Sequence, residues 1–448
     1  MANFSKSNVP QFSVDVYQNE YLPEGGREVN AIVTVSSTGG GTIGGAVAAP
    51  HLYAPGQGPS AAVAIMVDCS GSMDYPPTKM RGARDATAAA IDALRDGVHF
   101  AVVGGTHIAK EVYPGGGRLA VADATTRDQA KQALRKLSAG GGTAIGTWLK
   151  LADRLLASED AAIRHGILLT DGRNEHESPE DLRAALDASA GRFTCDARGV
   201  GTDWEVKEVT GIASALLGTA DIVADPAGLA ADFTQMMETA MGKEVADVAL
   251  RLWTPMGTEI KFVKQVAPTV EELTERRTEA GPRAGDYPTG SWGDESRDYH
   301  VCVKVPAAGL GQEMLAARVS LVIPQPDGTV HNLGAQGLVR AVWTDDMAAS
   351  TSINPQVAHY TGQAELAQVI QQGLDARKTG DVDGATAKLG RAVQLASESG
   401  NADTAKLLAK VVDVVDAAAG TVRLKAKVAE ADEMTLETRS TKTVRVKK

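Results

Sequence analysis

Residues 61–73 have the sequence AAVAIMVDCSGSM, in which seven apolar residues precede a short polar stretch. A continuous apolar run of this length is typical of a strand that is buried on both faces, as in a parallel sheet covered by helices. Helical patterns alternate with further apolar runs, at residues 98–103, 166–169, 193–200 and 222–224. This alternation predicts an α/β domain with a doubly wound, mostly parallel sheet over residues 60–243.

The segments on both sides of this domain have strand patterns. Residues 1–57 contain two strand-like stretches, and residues 244–345 contain five more, separated by turns rich in Pro and Gly. Such spacing is typical of a β-sandwich. Because two strands are too few to form a domain alone, we expect the N-terminal strands to pair into the sandwich. The α/β domain is then inserted in a β-sandwich.

The C-terminal part of the chain changes character again. Residues 355–433 have helical patterns, which predict a helical bundle. Residues 434–448 end in a run of Lys and Arg and are expected to form a disordered basic tail.

Composition excludes several classes of function. The chain of 448 residues has 45 Lys and Arg against 56 Asp and Glu, and a net charge of −11. That charge argues against binding to the phosphate backbone of nucleic acid, which requires a basic face. No apolar stretch approaches the roughly 20 residues of a membrane span, and no targeting signal is visible, so we expect no membrane insertion and a cytoplasmic location. The three cysteines are far apart, which excludes a cysteine-based zinc site and a disulfide scaffold.

Oxygen-bearing side chains follow two of the predicted strands and a glycine-rich loop at residues 138–142. Because ligands of open parallel sheets bind beyond the carboxyl ends of the strands, we expect these side chains to converge on one point. Two carboxylates and three hydroxyls are hard-oxygen ligands suited to Mg²⁺ or Mn²⁺, with water and one further ligand completing an octahedron. The predicted metal ligands are Asp68, Ser70, Ser72, Thr143 and Asp171.

The pattern Asp-x-Ser-x-Ser, with a later Thr and a later Asp-Gly, resembles the metal-ion-dependent adhesion site (MIDAS) of the von Willebrand factor type A family. The resemblance covers residues 61–243, and all five positions match. It implies a doubly wound α/β fold and a partner protein whose Asp or Glu side chain completes the metal coordination. The flanking segments are similar to those of bacterial intracellular proteins that join this domain to a β-sandwich.

Other residues near the predicted site carry weaker signals. Arg173 and Glu175 follow the last aspartate directly and could form a rim that contacts a ligand. Ser70 lacks the Gly-x-Ser-x-Gly elbow of a serine hydrolase. Trp292, in a turn-rich stretch, is the tryptophan that we would test for an interface role.

These observations give one leading hypothesis and two alternatives. The leading hypothesis is a non-enzymatic, Mg²⁺-dependent protein–protein interaction module, with no catalytic residue. The first alternative is a subunit of an ATPase-linked assembly or metal-insertion complex. The second is a metal-dependent hydrolase, which is disfavoured because no general base stands beside the metal in the sequence pattern. The sequence leaves the oligomeric state and the partner open.

Overall fold

The computed structural model of the protein describes residues 10–38, 59–325 and 327–446. Contacts among these residues divide them into two compact units. The first unit contains residues 10, 59–246 and 290–293, and the second contains the described parts of 11–38, 247–289 and 294–446. The predicted end of the N-terminal segment, at residue 57, lies outside the described residues.

Three strands of the second unit precede the first unit along the chain. They are β1 (Gln11–Gln18), β2 (Tyr21–Leu22) and β3 (Glu28–Thr38). β1 and β3 are antiparallel neighbours, with Val14 opposite Val35. Exposed and half-buried residues alternate along most of β1, which is the pattern of a strand with one face on a core.

The first unit is built on a seven-stranded sheet. Its strands are β4 (Ala61–Asp68), β5 (His99–Gly105), β6 (Ala109–Tyr113), β7 (Ala120–Val121), β8 (Ile163–Thr170), β9 (Thr194–Val200) and β10 (Ala220–Val223). Their order is β10-β9-β8-β4-β5-β6, with β7 also paired to β5. The strands from β10 to β5 are parallel neighbours, whereas β6 and β7 are antiparallel to β5. The sequence did not predict these two short antiparallel strands.

Six helices belong to this unit: α1 (Thr78–Asp92), α2 (Ala124–Leu134), α3 (Ile145–Leu156), α4 (Pro179–Ser189), α5 (Val206–Ala215) and α6 (Leu229–Met241). All eight residues of β4 are buried, as the continuous apolar run predicted. The alanine face of α1 packs in the same core as Phe233 and Met237 of α6. α4 begins as expected, with Pro179 in its first turn and the Ser178 hydroxyl accepting a hydrogen bond from Asp181 N at 3.1 Å.

The second unit adds eight strands to β1–β3: β11 (Val245–Trp253), β12 (Glu259–Ala267), β13 (Glu271–Glu272), β14 (Thr278–Gly281), β15 (Ala284–Trp292), β16 (Glu295–Lys304), β17 (Glu313–Pro324) and β18 (Val330–Trp343). They form two largely antiparallel sheets, in the orders β1-β3-β16-β12-β13 and β14-β15-β11-β17-β18-β2. The sheets contact each other where Gly337 of β18 approaches β1. A Cβ atom at Gly337 would lie 2.6 Å from Val16 Cγ2, so this contact requires glycine.

Helices dominate the C-terminal part, but one predicted helix is interrupted. Helical patterns were predicted throughout residues 355–433, whereas the helix that begins at Ala402 ends at Val411 and a β-hairpin follows. The run Val-Asp-Val-Val favours a strand because its valines are β-branched, and Gly420 supplies a turn residue with φ of +67°. The elements are α7 (Met347–Thr351), α8 (Pro355–Lys378), α9 (Val382–Glu398), α10 (Ala402–Val411), β19 (Val412–Asp416), β20 (Thr421–Leu424) and α11 (Glu430–Arg439).

The predicted basic tail at residues 434–448 also differs from the structure. Helix α11 occupies its first part, and the following residues run beside the end of β12, where Thr443 N donates to Pro268 O at 2.9 Å. Arg445 then makes two hydrogen bonds to the buried carboxylate of Asp298, at 2.9 and 2.7 Å. The segment is ordered because its charge has a specific partner in the sandwich. Residues 447 and 448 lie outside the described chain.

Candidate metal centre

The predicted metal ligands lie where neighbouring parallel strands end. β4 ends at Asp68 and β8 ends at Thr170, and the two strands are adjacent, with Val67 opposite Leu169. Asp171 directly follows β8. The sequence therefore places both carboxylates at the same edge of the sheet, and both are fully buried.

Asp68 holds the loops of this edge together. Its carboxylate accepts hydrogen bonds from Ser70 N at 2.7 Å and from Thr170 Oγ1 at 2.7 Å. Burial, assisted by the nearby charge of Asp171, raises the pKa of the Asp68 carboxyl to about 6, against the lowering effect of these hydrogen bonds. A cation at this edge would relieve both effects, because it favours the charged forms of two neighbouring carboxyls.

The three predicted hydroxyls surround one point. Ser70 Oγ lies 3.0 Å from Ser72 Oγ, and Ser72 Oγ donates to Asp171 Oδ1 at 2.6 Å. A Cβ atom built on Gly172 would lie 3.2 Å from Ser72 Oγ, 3.5 Å from Thr143 Oγ1 and 4.0 Å from Ser70 Oγ. Glycine at this position therefore leaves open a small space that all three hydroxyls face.

These spacings fit a small divalent cation. Two neighbouring ligands of an octahedral Mg²⁺ ion, each about 2.1 Å from the metal, are separated by about 3.0 Å. The Ser70–Ser72 separation matches this value. No group of three or more His, Cys, Asp or Glu side chains that could hold a metal occurs among the described residues, so a metal here depends on the hydroxyls.

The glycine-rich loop brings Thr143 to the other four residues. Gly140 N donates to Cys69 O at 2.8 Å, and Gly71 N donates to Gly141 O at 2.9 Å. Gly141 has φ of +85°, a conformation that favours glycine. These backbone bonds join the loop to the segment that follows β4.

The loop after β8 fixes Thr143 and the start of α3 from the opposite side. Thr143 N donates to His176 Nδ1 at 3.1 Å, and His176 N donates to Thr143 O at 3.0 Å. Glu177 accepts a hydrogen bond from Gly146 N at 2.6 Å, and Asn174 accepts one from Ile145 N at 2.7 Å. These acceptors satisfy the free amides of the helix N-terminus. The sequence did not predict their role, since each contact spans roughly 30 residues of chain.

The predicted rim residues, Arg173 and Glu175, belong to this same loop and are exposed. The described structure gives no indication of a ligand that these two side chains would contact. Trp292, which we singled out for an interface, is fully buried at the end of β15. Its indole therefore has no exposed surface for a partner, and the predicted interface role is wrong.

Lys79 is the principal residue of this site that the sequence did not predict. Its ammonium donates to Asp171 Oδ2 at 2.7 Å and to Asp203 Oδ2 at 3.1 Å, and the residue is only 5% exposed. Burial lowers the pKa of Lys79, but the hydrogen bonds and charges of the two aspartates outweigh it and leave the pKa raised. Lys79 lies in the first turn of α1, where the helix dipole disfavours a cation. This unfavourable position is the one sequence signal that indicates a specific acidic partner.

His165 and His176 have partners away from Ser70, whereas His107 stands against the glycine-rich loop, where a Cβ atom at Gly141 would lie 2.9 Å from its Nδ1. His165 lies near the start of β8, whereas the candidate site follows the end of that strand. Its Nδ1 lies 2.9 Å from Thr194 Oγ1 and its Nε2 lies 3.0 Å from the Asp196 carboxylate. His176 Nδ1 accepts a hydrogen bond from the Thr143 amide. Cys69 points into the core, and burial raises the pKa of its thiol to about 12. No described histidine is hydrogen-bonded to Ser70.

Comparison with known proteins identifies the family. A model of the von Willebrand factor type A domain matches residues 61–222, and a model of the von Willebrand factor type A C-terminal domain matches residues 394–440. The chain is 52% identical to a solved structure, von Willebrand factor type A from Catenulispora acidiphila, with 99% of each chain covered and a TM-score of 0.91. The chain belongs to the von Willebrand factor type A family. This result confirms the predicted family and fold class.

A more distant structure has the same fold over nearly the whole chain. The ArnB paralog VWA2 from Sulfolobus acidocaldarius is 13% identical, covers 96% of this chain and 98% of its own, and has a TM-score of 0.58. Functionally curated proteins give no match. Type A domains are known for protein–protein interaction and commonly bind a divalent metal at a MIDAS. None of the described helices is long and apolar enough to cross a membrane.

Proposed function

We propose that this protein is a non-enzymatic, Mg²⁺-dependent protein-interaction module. Its five oxygen-bearing side chains would hold the ion, and an Asp or Glu side chain of a partner protein would complete the coordination. Mn²⁺ would substitute for Mg²⁺, because it accepts the same hard-oxygen ligands. The ligands are Asp68, Ser70, Ser72, Thr143 and Asp171.

The observation that carries this proposal is the convergence of three hydroxyls on the space beside Gly172. Two carboxylates and three hydroxyls offer an ion few strong protein ligands, which leaves a coordination position for an anionic group from outside. A carboxylate that binds a cation in a partly desolvated cleft forms a strong, directional contact.

A binding role is also supported by what surrounds the serines. A hydrolase would need a general base within hydrogen-bond reach of its nucleophile or metal-bound water, and no described histidine is hydrogen-bonded to Ser70. Arg173 and Glu175 are exposed on the loop that carries Asp171, and we propose that they contact the partner. Three free, buried cysteines are compatible with the cytoplasmic location that we propose.

The test is affinity purification of partners in Mg²⁺ and in EDTA, with wild type and the Ser70→Ala variant. Ser70→Ala removes one hydroxyl, whereas Asp68→Ala would also break the hydrogen bonds that join the loops. Ser158→Ala, which removes an exposed hydroxyl at the end of α3, is the matched control. We expect partner recovery in Mg²⁺ to disappear in EDTA and in Ser70→Ala, and to persist in Ser158→Ala. Recovery of the same partners in EDTA contradicts the proposal.

A further inference from the structure

The lysine beside the candidate metal site is held in place by two carboxylates. Lys79 reaches Asp171 at 2.7 Å on its buried side and Asp203 at 3.1 Å on its outer side. The fold thus provides a defined place for one ammonium group next to a predicted metal ligand.

This placement changes the charge of the site. Asp68 and Asp171 contribute two negative charges, which a divalent ion alone would neutralise. Lys79 adds one positive charge in a poorly solvated region, where charges interact more strongly than in water. Asp203, on the outer side, is mostly exposed, with a side chain 70% accessible, so water screens its charge more effectively. The loaded site therefore retains a net positive charge at the position where a ligand enters.

We propose that Lys79 is a specificity-determining residue that weakens metal binding in the free protein and strengthens the binding of a carboxylate ligand. This inference rests on the proposed function of the same site. Because Lys79 repels the cation, the free protein holds the metal less tightly. Because the same charge attracts an anion, a carboxylate binds the loaded site in preference to a neutral oxygen ligand.

A purely structural role for Lys79 predicts a different result. If the lysine only held Asp171 in position, its removal would disorder a metal ligand and weaken both the metal and the carboxylate. If Lys79 acts through its charge, its removal raises the affinity for the metal and lowers the affinity for the carboxylate. The pair of measurements therefore distinguishes the two roles.

The experiment compares wild type with Lys79→Met and Lys79→Arg. Mn²⁺ affinity is measured by electron paramagnetic resonance titration, and acetate binding to the Mn²⁺-loaded protein is measured by water-proton relaxation, with acetamide as the uncharged probe. We expect Lys79→Met to raise Mn²⁺ affinity by roughly tenfold or more and to lower acetate affinity by a similar factor. Acetamide binding should be unchanged. Lys79→Arg retains the charge and should keep both affinities close to wild type.

Two results would overturn the inference without affecting the proposed function. Loss of both affinities in Lys79→Met assigns the lysine a structural role, and no change in either shows that its charge is screened. If wild type binds no Mn²⁺, the proposed function and this inference both fail. If Lys79→Met does not fold, the Mn²⁺ and acetate affinities of Lys79→Arg, which retains a cation at this position, are compared with those of wild type.

Discussion

The contact between Arg445 and Asp298 offers a quantitative test of how the C-terminal segment stabilises the second unit. The Asp298 carboxylate is 2% exposed. It accepts hydrogen bonds from Thr34 at 2.6 Å and from Tyr360, in addition to the two from Arg445. Burial alone would raise the pKa of Asp298, but these hydrogen bonds outweigh burial and leave the pKa lowered. The carboxylate is therefore charged at neutral pH, and Arg445 is its cationic partner.

We expect Arg445→Ala to lower the free energy of opening of this region by about 2–3 kcal/mol. Removing one partner of a fully buried pair costs about 3–5 kcal/mol. The lower figure applies because the Arg445 side chain is 43% exposed and because Thr34 and Tyr360 still donate to Asp298. Such a loss corresponds to an increase of about 30- to 150-fold in the rate at which the backbone amides of this region exchange hydrogen through opening.

Hydrogen–deuterium exchange of β3 and β16 measures this effect directly, because Asp298 lies on β16 and Thr34 lies opposite it on β3. The same measurement on β4 and β8 reports any unrelated change in the first unit. Arg423→Ala, which removes an exposed arginine from β20, is the matched control and should leave exchange unchanged. Less than threefold faster exchange in Arg445→Ala would refute the reasoning, since Thr34 and Tyr360 would then suffice to hold the buried charge.

Three further predictions concern single residues. Gly172→Ala keeps all five proposed ligands but places a methyl group in the space that the hydroxyls face. Calorimetric titration should therefore show Mg²⁺ binding that is at least about tenfold weaker, with an unchanged circular dichroism spectrum. An unchanged Mg²⁺ affinity would mean that the ion lies elsewhere. Burial, assisted by the Lys264 ammonium, lowers the pKa of His300 to about 4. As the pH falls, His300 is therefore protonated in the unfolded chain before it is protonated in the folded protein. The free energy of unfolding should fall by about 3 kcal/mol between about pH 6.5 and pH 4. Urea titrations across this pH range should show a smaller loss of stability in His300→Gln. Trp292→Ala should destabilise the protein by about 3–5 kcal/mol in thermal unfolding, and a loss below about 1 kcal/mol would contradict the full burial of its indole.

Local patterns predicted the parts of the molecule that depend on neighbouring residues. The buried strand ending at Asp68 is visible as a run of apolar residues, and the α4 start is visible as Ser178-Pro179. The spacing of the five proposed ligands was visible because each lies directly after a strand or a glycine-rich loop. The strand-and-helix alternation then gave the fold class.

Contacts between distant residues were beyond these patterns. The sequence shows Lys79 as an ordinary helix residue, because Asp171 and Asp203 follow it only after roughly 90 and 120 residues. Arg445 resembled a solvated tail charge for the same reason. The hairpin after Val411 was mistaken for helix because short apolar stretches fit both patterns, and neighbouring structure decides between them.

The pairing of β3 with β16 has a consequence for how the chain is synthesised. Ser37 lies opposite Glu295, so β3 leaves the ribosome long before its main partner exists. At ordinary translation rates the delay is roughly 10–50 s. The first unit can complete its own sheet during this interval, since most of its strands lie within the intervening segment.

Until then β3 has only β1 beside it, and the edge that later receives β16 is an unpaired strand edge. Such edges are templates for association between chains. We therefore expect nascent chains that stop before Glu295 to aggregate or to bind chaperones, whereas chains that extend past Lys304 should not. The insertion of one domain within another thus makes translation itself a stage at which this protein needs protection.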